Sequence, residues 1–481
     1  MLLGFLTLPM LMSGTSVALP RIGADLNASG ASLQWVVIGY FLTASSTMLV
    51  AGSLGDLFGR RRVFAAGAAV YTAGALTSAI ASDILLLDAA RTLSGVGAAG
   101  VMACGGAILG ATFTGPARTR AFAAMGTTAG AGMAIGPTLS GWLVGSLGWR
   151  ATFAAFAVVG VLIWAGTVFM TESRAATRPR IDLPGAVTLI AALALVMFGF
   201  NQASEAGWGS VLVLAPVAAG LVSLVVFTMI EHRSPHPVLD LTMLRDRRFM
   251  AWCLACLFVA AGPAGVTTFL PTYLQGVNGA SAQAAGLTML MLTAPVLLMP
   301  QVGAQLINRG VPARTLITVS LLMIAAGNAW LTVLHPGIDA LGLLGPLVAI
   351  GTGMGLVVGT TDAQAMNQVE PDRLGMAAGF LNTVRAGGAT LVITLFGTAL
   401  INLLQARIGA VGPAARVAAG DLTGPGRSLH ATQFTDAWHI ALWFVAALCA
   451  VAAVAVWALL APSRREPVVP GGADALTHTG K

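Results

Sequence analysis

Charge is scarce in this 481-residue chain. Asp, Glu, Lys and Arg together make up 9% of it, where a soluble globular domain carries about 25%. So little charge cannot cover a surface that faces water, which excludes a soluble fold. Lysine is almost missing: Lys481 stands alone, so arginine carries the net charge of +7. The arginines stand in small groups between apolar runs. They form no clustered basic face of the kind a nucleic-acid binder needs, and no nucleic-acid partner is expected. The four cysteines all fall inside apolar runs. Cys253 and Cys256 have a redox or metal spacing, but no histidine or second pair joins them, so they read as buried thiols and no metal site is expected. No histidine pairs with a Cys or Ser at a motif spacing, and no phosphate-binding loop is present. The sequence therefore offers no enzyme site, no cofactor and no direct use of ATP. The first 20 residues have no basic opening and no clear cleavage site, so they read as a retained first helix rather than a signal.

What the chain does have is apolar length. It is 57% hydrophobic, with a mean hydropathy of +0.85. The runs are continuous and about 20 residues long, as a membrane-crossing helix requires. A barrel would alternate over segments of roughly 10 residues. The expected fold class is therefore an all-α integral membrane bundle. Fourteen spans are expected, near 2–20, 33–52, 63–81, 85–113, 121–145, 150–170, 183–202, 211–230, 249–273, 283–307, 313–335, 340–365, 374–404 and 437–461. Two connections are long, 231–248 and 405–436, and the tail from Pro462 is polar.

With the N-terminus inside, the inner loops and tail hold 18 Arg or Lys residues and the outer side 5. The positive-inside rule then places both termini in the cytoplasm of a cell that carries the protein in its inner or plasma membrane. An internal repeat also emerges. Leu19-Pro20 matches Leu270-Pro271, Gly52 matches Gly303 and Gly59 matches Gly310, all at an offset of 251. The chain divides accordingly into a six-helix half at 1–170, a linker with two inserted spans at 171–248, a second six-helix half at 249–461 and a cytoplasmic tail at 462–481. Membrane proteins built from such repeats bind their cargo between the halves near the midplane.

Charge and glycine gather in one loop, Gly52-Ser-Leu-Gly-Asp56-Leu-Phe-Gly59-Arg60-Arg61-Arg62. Three arginines at the start of a helix oppose its dipole. They read either as topology anchors or as part of a gate, and Asp56 favours the gate because acids contribute little to orientation. Arg91 lies inside span four with Asp88 three residues before it, on the same helical face. An arginine at a helix centre costs about 2.5–3.5 kcal/mol, so the pair is either functional or a structural ion pair. Span five carries Gly132 and Gly136, followed by Pro137, Ser140 and Gly141. The glycines permit close helix approach and the proline removes a hydrogen bond. Asn382 and Arg385 in span thirteen and Asp362 near the inner end of span twelve are candidates for the transport pathway. For Asp362, snorkelling to the interface is the alternative. The methionines of span ten read as lipid-facing or packing residues.

These motifs resemble the major facilitator superfamily. Gly52, Leu54, Asp56, Gly59, Arg60 and Arg61 match its loop pattern Gly-x-Leu-x-Asp-x-x-Gly-Arg-Arg. Arg91 and Gly95 match its span-four pattern, with Ser94 in place of a glutamine. Gly132, Gly136, Pro137 and Gly141 resemble the antiporter signature of its exporters, and span one resembles the fourteen-span drug:proton antiporters. The resemblance implies that Asp56 latches the halves on the cytoplasmic side against the start of span thirteen near Gly375, and that Arg91 takes part in a proton relay. It implies a secondary exporter, working as a monomer, that moves small hydrophobic organic compounds outward against protons. The sequence departs from the family at Leu11, where an aspartate is common, and span ten has no acid. Two other readings are a proton-coupled metabolite importer and a membrane receptor or scaffold that transports nothing.

Overall fold

The computed structural model describes residues 1–113, 115–172, 182–234, 243–369, 374–422 and 426–461. Its long elements are helices: α1 (Leu2–Leu26), α2 (Gly30–Phe58), α3 (Arg60–Ala79), α4 (Ile84–Thr112), α5 (Gly115–Gly166), α6 (Leu183–Ala206), α7 (Val211–Arg233), α8 (Arg247–Gly276), α9 (Ala282–Asn308), α10 (Ala313–Trp330), α11 (Leu344–Val357), α12 (Thr360–Met366), α13 (Leu374–Ile408), α14 (Val411–Ala418) and α15 (Arg427–Leu459). Among the described residues, ten helices are long and apolar enough to cross a membrane, fewer than the fourteen spans expected. The apolar part of α6, Pro184–Phe200, is shorter than a span. Helix α7 keeps most of its surface out of the protein core: its Leu212, Leu221, Val222 and Val225 are all more than half exposed. A face of that kind is tolerable against lipid, not water.

Spans five and six, expected apart with a break at 146–149, do part within α5 at Gly148, whose non-helical φ of 84° and ψ of 167° turn the chain, while two other elements differ from expectation. No atom lies within 4 Å of a Cβ placed at Gly148, so backbone freedom rather than space calls for glycine. Span twelve, expected as one helix over 340–365, breaks between α11 and α12 at Gly359, where φ is 80°. The stretch 405–436, expected as a loop, holds α14 and the start of α15. Ala431, Phe434 and Thr435 are buried there at helical spacing, a half-wet pattern that a search for continuous apolar runs overlooks.

The core falls into two clusters. One joins α1 to α5 through residues such as Leu8, Val37, Tyr71, Val101 and Phe153. The other joins α8 to α15 through Phe249, Tyr273, Leu292, Leu347, Phe396 and Trp438. The clusters meet where α1 packs on α8, α2 on α13 and α5 on α9. At the α1–α8 contact Ser16 Oγ donates to the Thr267 carbonyl over 3.3 Å, and these residues are 251 positions apart. Gly59 and Gly310, separated by the same offset, both take positive φ, 112° and 93°. Helices α6 and α7 pair with each other, and α6 leans on α2 and α13, with Thr398 Oγ1 donating to the Phe200 carbonyl. The methionines of α9 pack rather than face lipid: Met289 is fully buried, and Met291 and Met299 lie against the second core.

Candidate functional site

The glycines of α5 form two faces. Toward α1 they make a ladder with one rung every four residues, the spacing at which two helices interlock along their i±4 ridges. A Cβ on Gly132 would run into the Leu6 carbonyl, and one on Gly136 would lie 2.6 Å from the Met10 carbonyl. At the third rung the small residue has changed sides, since Ser140 stands opposite Gly14. That exchange explains why α5 accepts a serine there. Toward α9, a Cβ on Gly141 would lie 2.5 Å from the Ala282 carbonyl, and one on Gly286 would lie 2.5 Å from that of Pro137. Thr138 Oγ1 donates to the Gly286 carbonyl over 2.9 Å. Helix α5 is thus held backbone to backbone by α1 on one side and α9 on the other.

Pro137 has no N–H, so the Met133 carbonyl one turn earlier loses its helical donor. Ser13 of α1 supplies one instead, its Oγ lying 3.1 Å from Met133 O. A hydroxyl on a neighbouring helix is a usual way to satisfy a carbonyl freed by proline in lipid.

Arg91 is 1% exposed and Asp88 7%. They form no ion pair with each other among the described residues, so the expected pairing is replaced by another arrangement. Arg91 Nε donates to the Val36 carbonyl over 3.0 Å, and the guanidinium lies 4.4 Å above the Tyr40 ring and 5.5 Å from that of Phe153. Asp88 Oδ1, Arg91 Nη1, Tyr40 Oη and Tyr71 Oη are buried without a hydrogen-bond partner among the described residues. Four polar atoms in this state, drawn from α2, α3 and α4, are uncommon in a native core. Ser94 bonds back to the Ala90 carbonyl, and a Cβ on Gly74 would lie 2.4 Å from its Oγ.

In the loop between α2 and α3, the three glycines are not equivalent. Gly59 has a φ of 112°, and a Cβ on it would lie 2.7 Å from the carboxylate of Glu172. A Cβ on Gly55 would lie 2.6 Å from Cys104 Sγ, whereas one on Gly52 would meet nothing nearer than Ala103 at 3.9 Å. Glu172 Oε1 accepts from the Arg61 backbone N–H over 3.1 Å, and its other oxygen lies 3.7 Å from Arg62 Nε. A carboxylate at the start of α3 offsets the dipole that the arginines oppose. Arg60 Nη1 donates to the Ala107 carbonyl on α4. Gly59→Ala should therefore cost about 1–2 kcal/mol in backbone strain before the contact with Glu172 is counted. Gly52→Ala should cost little. Melting curves of the two purified variants in detergent check this, and equal melting temperatures would refute it.

The side chains of Asp56 and Asn382 lie outside the described residues, as do 173–181, 235–242 and the tail at 462–481. Asp362 does not snorkel alone. It pairs with Arg385 Nη2, and the same guanidinium donates from Nε and Nη2 to Cys256 Sγ, over 3.1 and 2.9 Å. Asp362 and Arg385, named separately from the sequence, thus meet across α12 and α13, with Cys256 of α8 beneath them. Asp88 and Arg91 lie in the other core cluster.

Residues 1–393 match the family described as Major Facilitator Superfamily. The chain belongs to the major facilitator superfamily. Among curated relatives, the cephamycin export protein CmcT of Amycolatopsis lactamdurans is 37% identical over 80% of this chain and 81% of its own. The puromycin resistance protein pur8 of Streptomyces alboniger is 31% identical over 97% of this chain and 92% of its own. A solved structure of an auto-inhibited peptide transporter of the POT family covers 98% of each chain at a TM-score of 0.65 and 15% identity, a likeness of fold alone. As a superfamily member with many apolar helices, the protein is a multi-pass membrane transporter rather than an enzyme.

Glu172, Tyr40, Tyr71 and Cys256 were not expected at these sites. Nor was Ser13, for which Pro137 was the available signal, because a proline leaves a carbonyl one turn earlier without its helical donor. No spacing in the sequence foretells the partners of Glu172 or Cys256.

Proposed function

We propose that this superfamily member is a secondary exporter that moves small hydrophobic organic compounds out of the cell in exchange for protons. The observation that carries this reading is the placement of α5. The helix with the exporter-type glycine and proline pattern is gripped by α1 of one core cluster and α9 of the other. A change in that grip alters how the clusters meet. The names of the relatives, an export protein and a resistance protein, support outward transport over an importer or scaffold. The chain crosses the inner or plasma membrane fourteen times with both termini inside. The segment Thr128–Phe169 is 42 residues long, about 63 Å as a helix and so enough for two crossings that meet at Gly148. Residues 1–170 and 249–461 act as the two halves, 171–248 add α6 and α7, and the protein works as a monomer.

Within this reading Asp56, with Gly52, Gly59, Arg60 and Arg61, biases the inner gate. Asp88 and Arg91 form the relay of the first half, and Gly132, Gly136, Pro137 and Gly141 form the hinge surfaces. Asn382, Arg385 and Asp362 border the pathway.

Expression in an exporter-deficient host should lower susceptibility to part of a compound panel that includes puromycin. In everted vesicles, collapse of the pH gradient should stop accumulation of the exported compound. If accumulation survives that collapse and fails only when the membrane potential is removed, protons are not the exchanged ion.

A further inference from the structure

We infer that one water molecule is bound between Gln34 of α2 and Thr272 of α8, and that it bridges the two core clusters there. Gln34 is the fifth residue of α2 and Thr272 the fifth from the end of α8. Both therefore lie at the end of the bundle where α1 turns into α2 and α8 into α9, the outer end in the orientation proposed above. A cavity of about 20 Å³ lies between them, with Ala415 and Ala418 of α14 in its wall. A water needs about 10–15 Å³ and two to four polar partners, so the cavity takes one water. It is far too small for an organic cargo, whose pockets run to about 300 Å³ or more. Among the described residues that line it, only Gln34 and Thr272 have polar side chains.

Gln34 is 7% exposed and Thr272 2%, yet Gln34 Oε1 and Thr272 Oγ1 have no hydrogen-bond partner among the described residues. Thr15, Thr92 and Thr288 turn their hydroxyls back to the carbonyl four residues earlier. Thr272 does not, which leaves its hydroxyl for the cavity. Glycine makes the room for the carboxamide. A Cβ on Gly397 of α13 would lie 2.6 Å from Gln34 Oε1 and 2.8 Å from Phe269 Cζ. The bound water donates one hydrogen to Gln34 Oε1 and accepts from the Thr272 hydroxyl. A buried acceptor left unmade favours parting of the seam, because bulk water then satisfies it. A bridging water removes that penalty while the seam stays closed. It adds to two direct bonds along the same seam, from Ser16 to the Thr267 carbonyl and from Gln275 to the Val17 carbonyl. All three links join α1 or α2 to α8. Release of an exported compound requires this end to part, so the water holds the exit shut between cycles. That role rests on the export reading above; the water site does not.

The test uses the full-length protein in detergent. X-ray radiolysis makes hydroxyl radicals from a bound water where it sits, so the cavity residues Leu33 and Phe269 should gain oxygen in the wild type. Both are buried, so radicals made in bulk by peroxide photolysis should leave them unlabelled. The double variant Gln34→Leu/Thr272→Val should lose the radiolytic label. A second readout is maleimide labelling of an Ala415→Cys reporter, against native cysteines that are all buried. Gln34→Leu and Thr272→Val each strand the other polar atom, and each should raise the labelling rate about fivefold or more. The double variant strands neither and should label within about twofold of the reporter alone. Absence of radiolytic label from Leu33 and Phe269 in the wild type overturns the inference, and so does a label that survives the double substitution. The wild-type footprint needs no variant, so a misfolded substitution leaves that decision intact. Single-variant effects that add in the double variant overturn the bridge, since groups that share no partner add. If the radiolytic label behaves as expected and the reporter ignores all three variants, the water site stands and the reading of a parting exit fails.

Discussion

Gly132→Val is expected to abolish export and to leave little correctly folded protein. A Cβ at this position collides with the Leu6 carbonyl, a backbone atom, so no rotamer change relieves it. Helix α1 would have to move away. It is pinned on its far side, where Ser16 bonds to Thr267 and Gln275 Nε2 donates to the Val17 carbonyl over 3.2 Å. Moving α1 also opens the second rung at Gly136 and withdraws Ser13 from the carbonyl that Pro137 left free. Overpacking in a tight core costs about 1–3 kcal/mol, and the lost interhelical hydrogen bond adds about 0.6 kcal/mol. Gly145→Ala is the matched control, because its Cβ would find no atom nearer than 3.8 Å. Size-exclusion profiles and melting temperatures in detergent should separate the two clearly. A monodisperse Gly132→Val protein with wild-type export would show that the ladder is not tight in solution.

The ladder was partly legible in the sequence, because glycine spacing encodes helix approach directly. What the sequence concealed was the direction of each face. Gly132 and Gly136 turn to α1 while Gly141 turns to α9, and the serine at 140 is accommodated by Gly14, which lies 126 positions earlier. The loop between α2 and α3 was legible as a charged turn, yet its three glycines looked alike. Only the backbone angle at Gly59 and the approach of Glu172 from the far end of α5 set them apart. The helix list followed from hydropathy because lipid imposes one period and one length. It placed the break at Gly148 and failed where the chain is half wet, at the start of α15, and where a single glycine breaks a helix inside one span, at Gly359. Charge pairs were the least legible. Asp88 and Arg91 sit at pairing distance along one helix yet do not pair, while Asp362 and Arg385, 23 positions apart, do. Spacing along a helix sets which residues can meet. Burial and the neighbouring helices decide which do.

Arg91→Lys is expected to lose export, and Arg91→Met to fold well without regaining it. Arg91 is held by a hydrogen bond from Nε and by the ring of Tyr40 against its flat face. A lysine has no donor at the Nε position and no plane to stack, and its ammonium is more strongly hydrated than a guanidinium. The hydrogen bond from a charged donor contributes about 1.5–3 kcal/mol and a desolvated cation–π contact about 2 kcal/mol, so the lysine variant should be less stable by a few kcal/mol. Methionine removes the charge and fills most of the volume. Replacement of a buried ion by an apolar side chain of similar size is often neutral or stabilising. If Arg91 served packing alone, Arg91→Met would therefore export. A role in the relay predicts the opposite: a melting temperature near that of wild type, and no accumulation in everted vesicles under a pH gradient. The full burial of Arg91 inside a membrane span favours that second outcome, since a charge there is costly and marks a functional site by default. Wild-type accumulation by Arg91→Lys would remove the guanidinium from the mechanism. Wild-type accumulation by Arg91→Met would remove the charge as well.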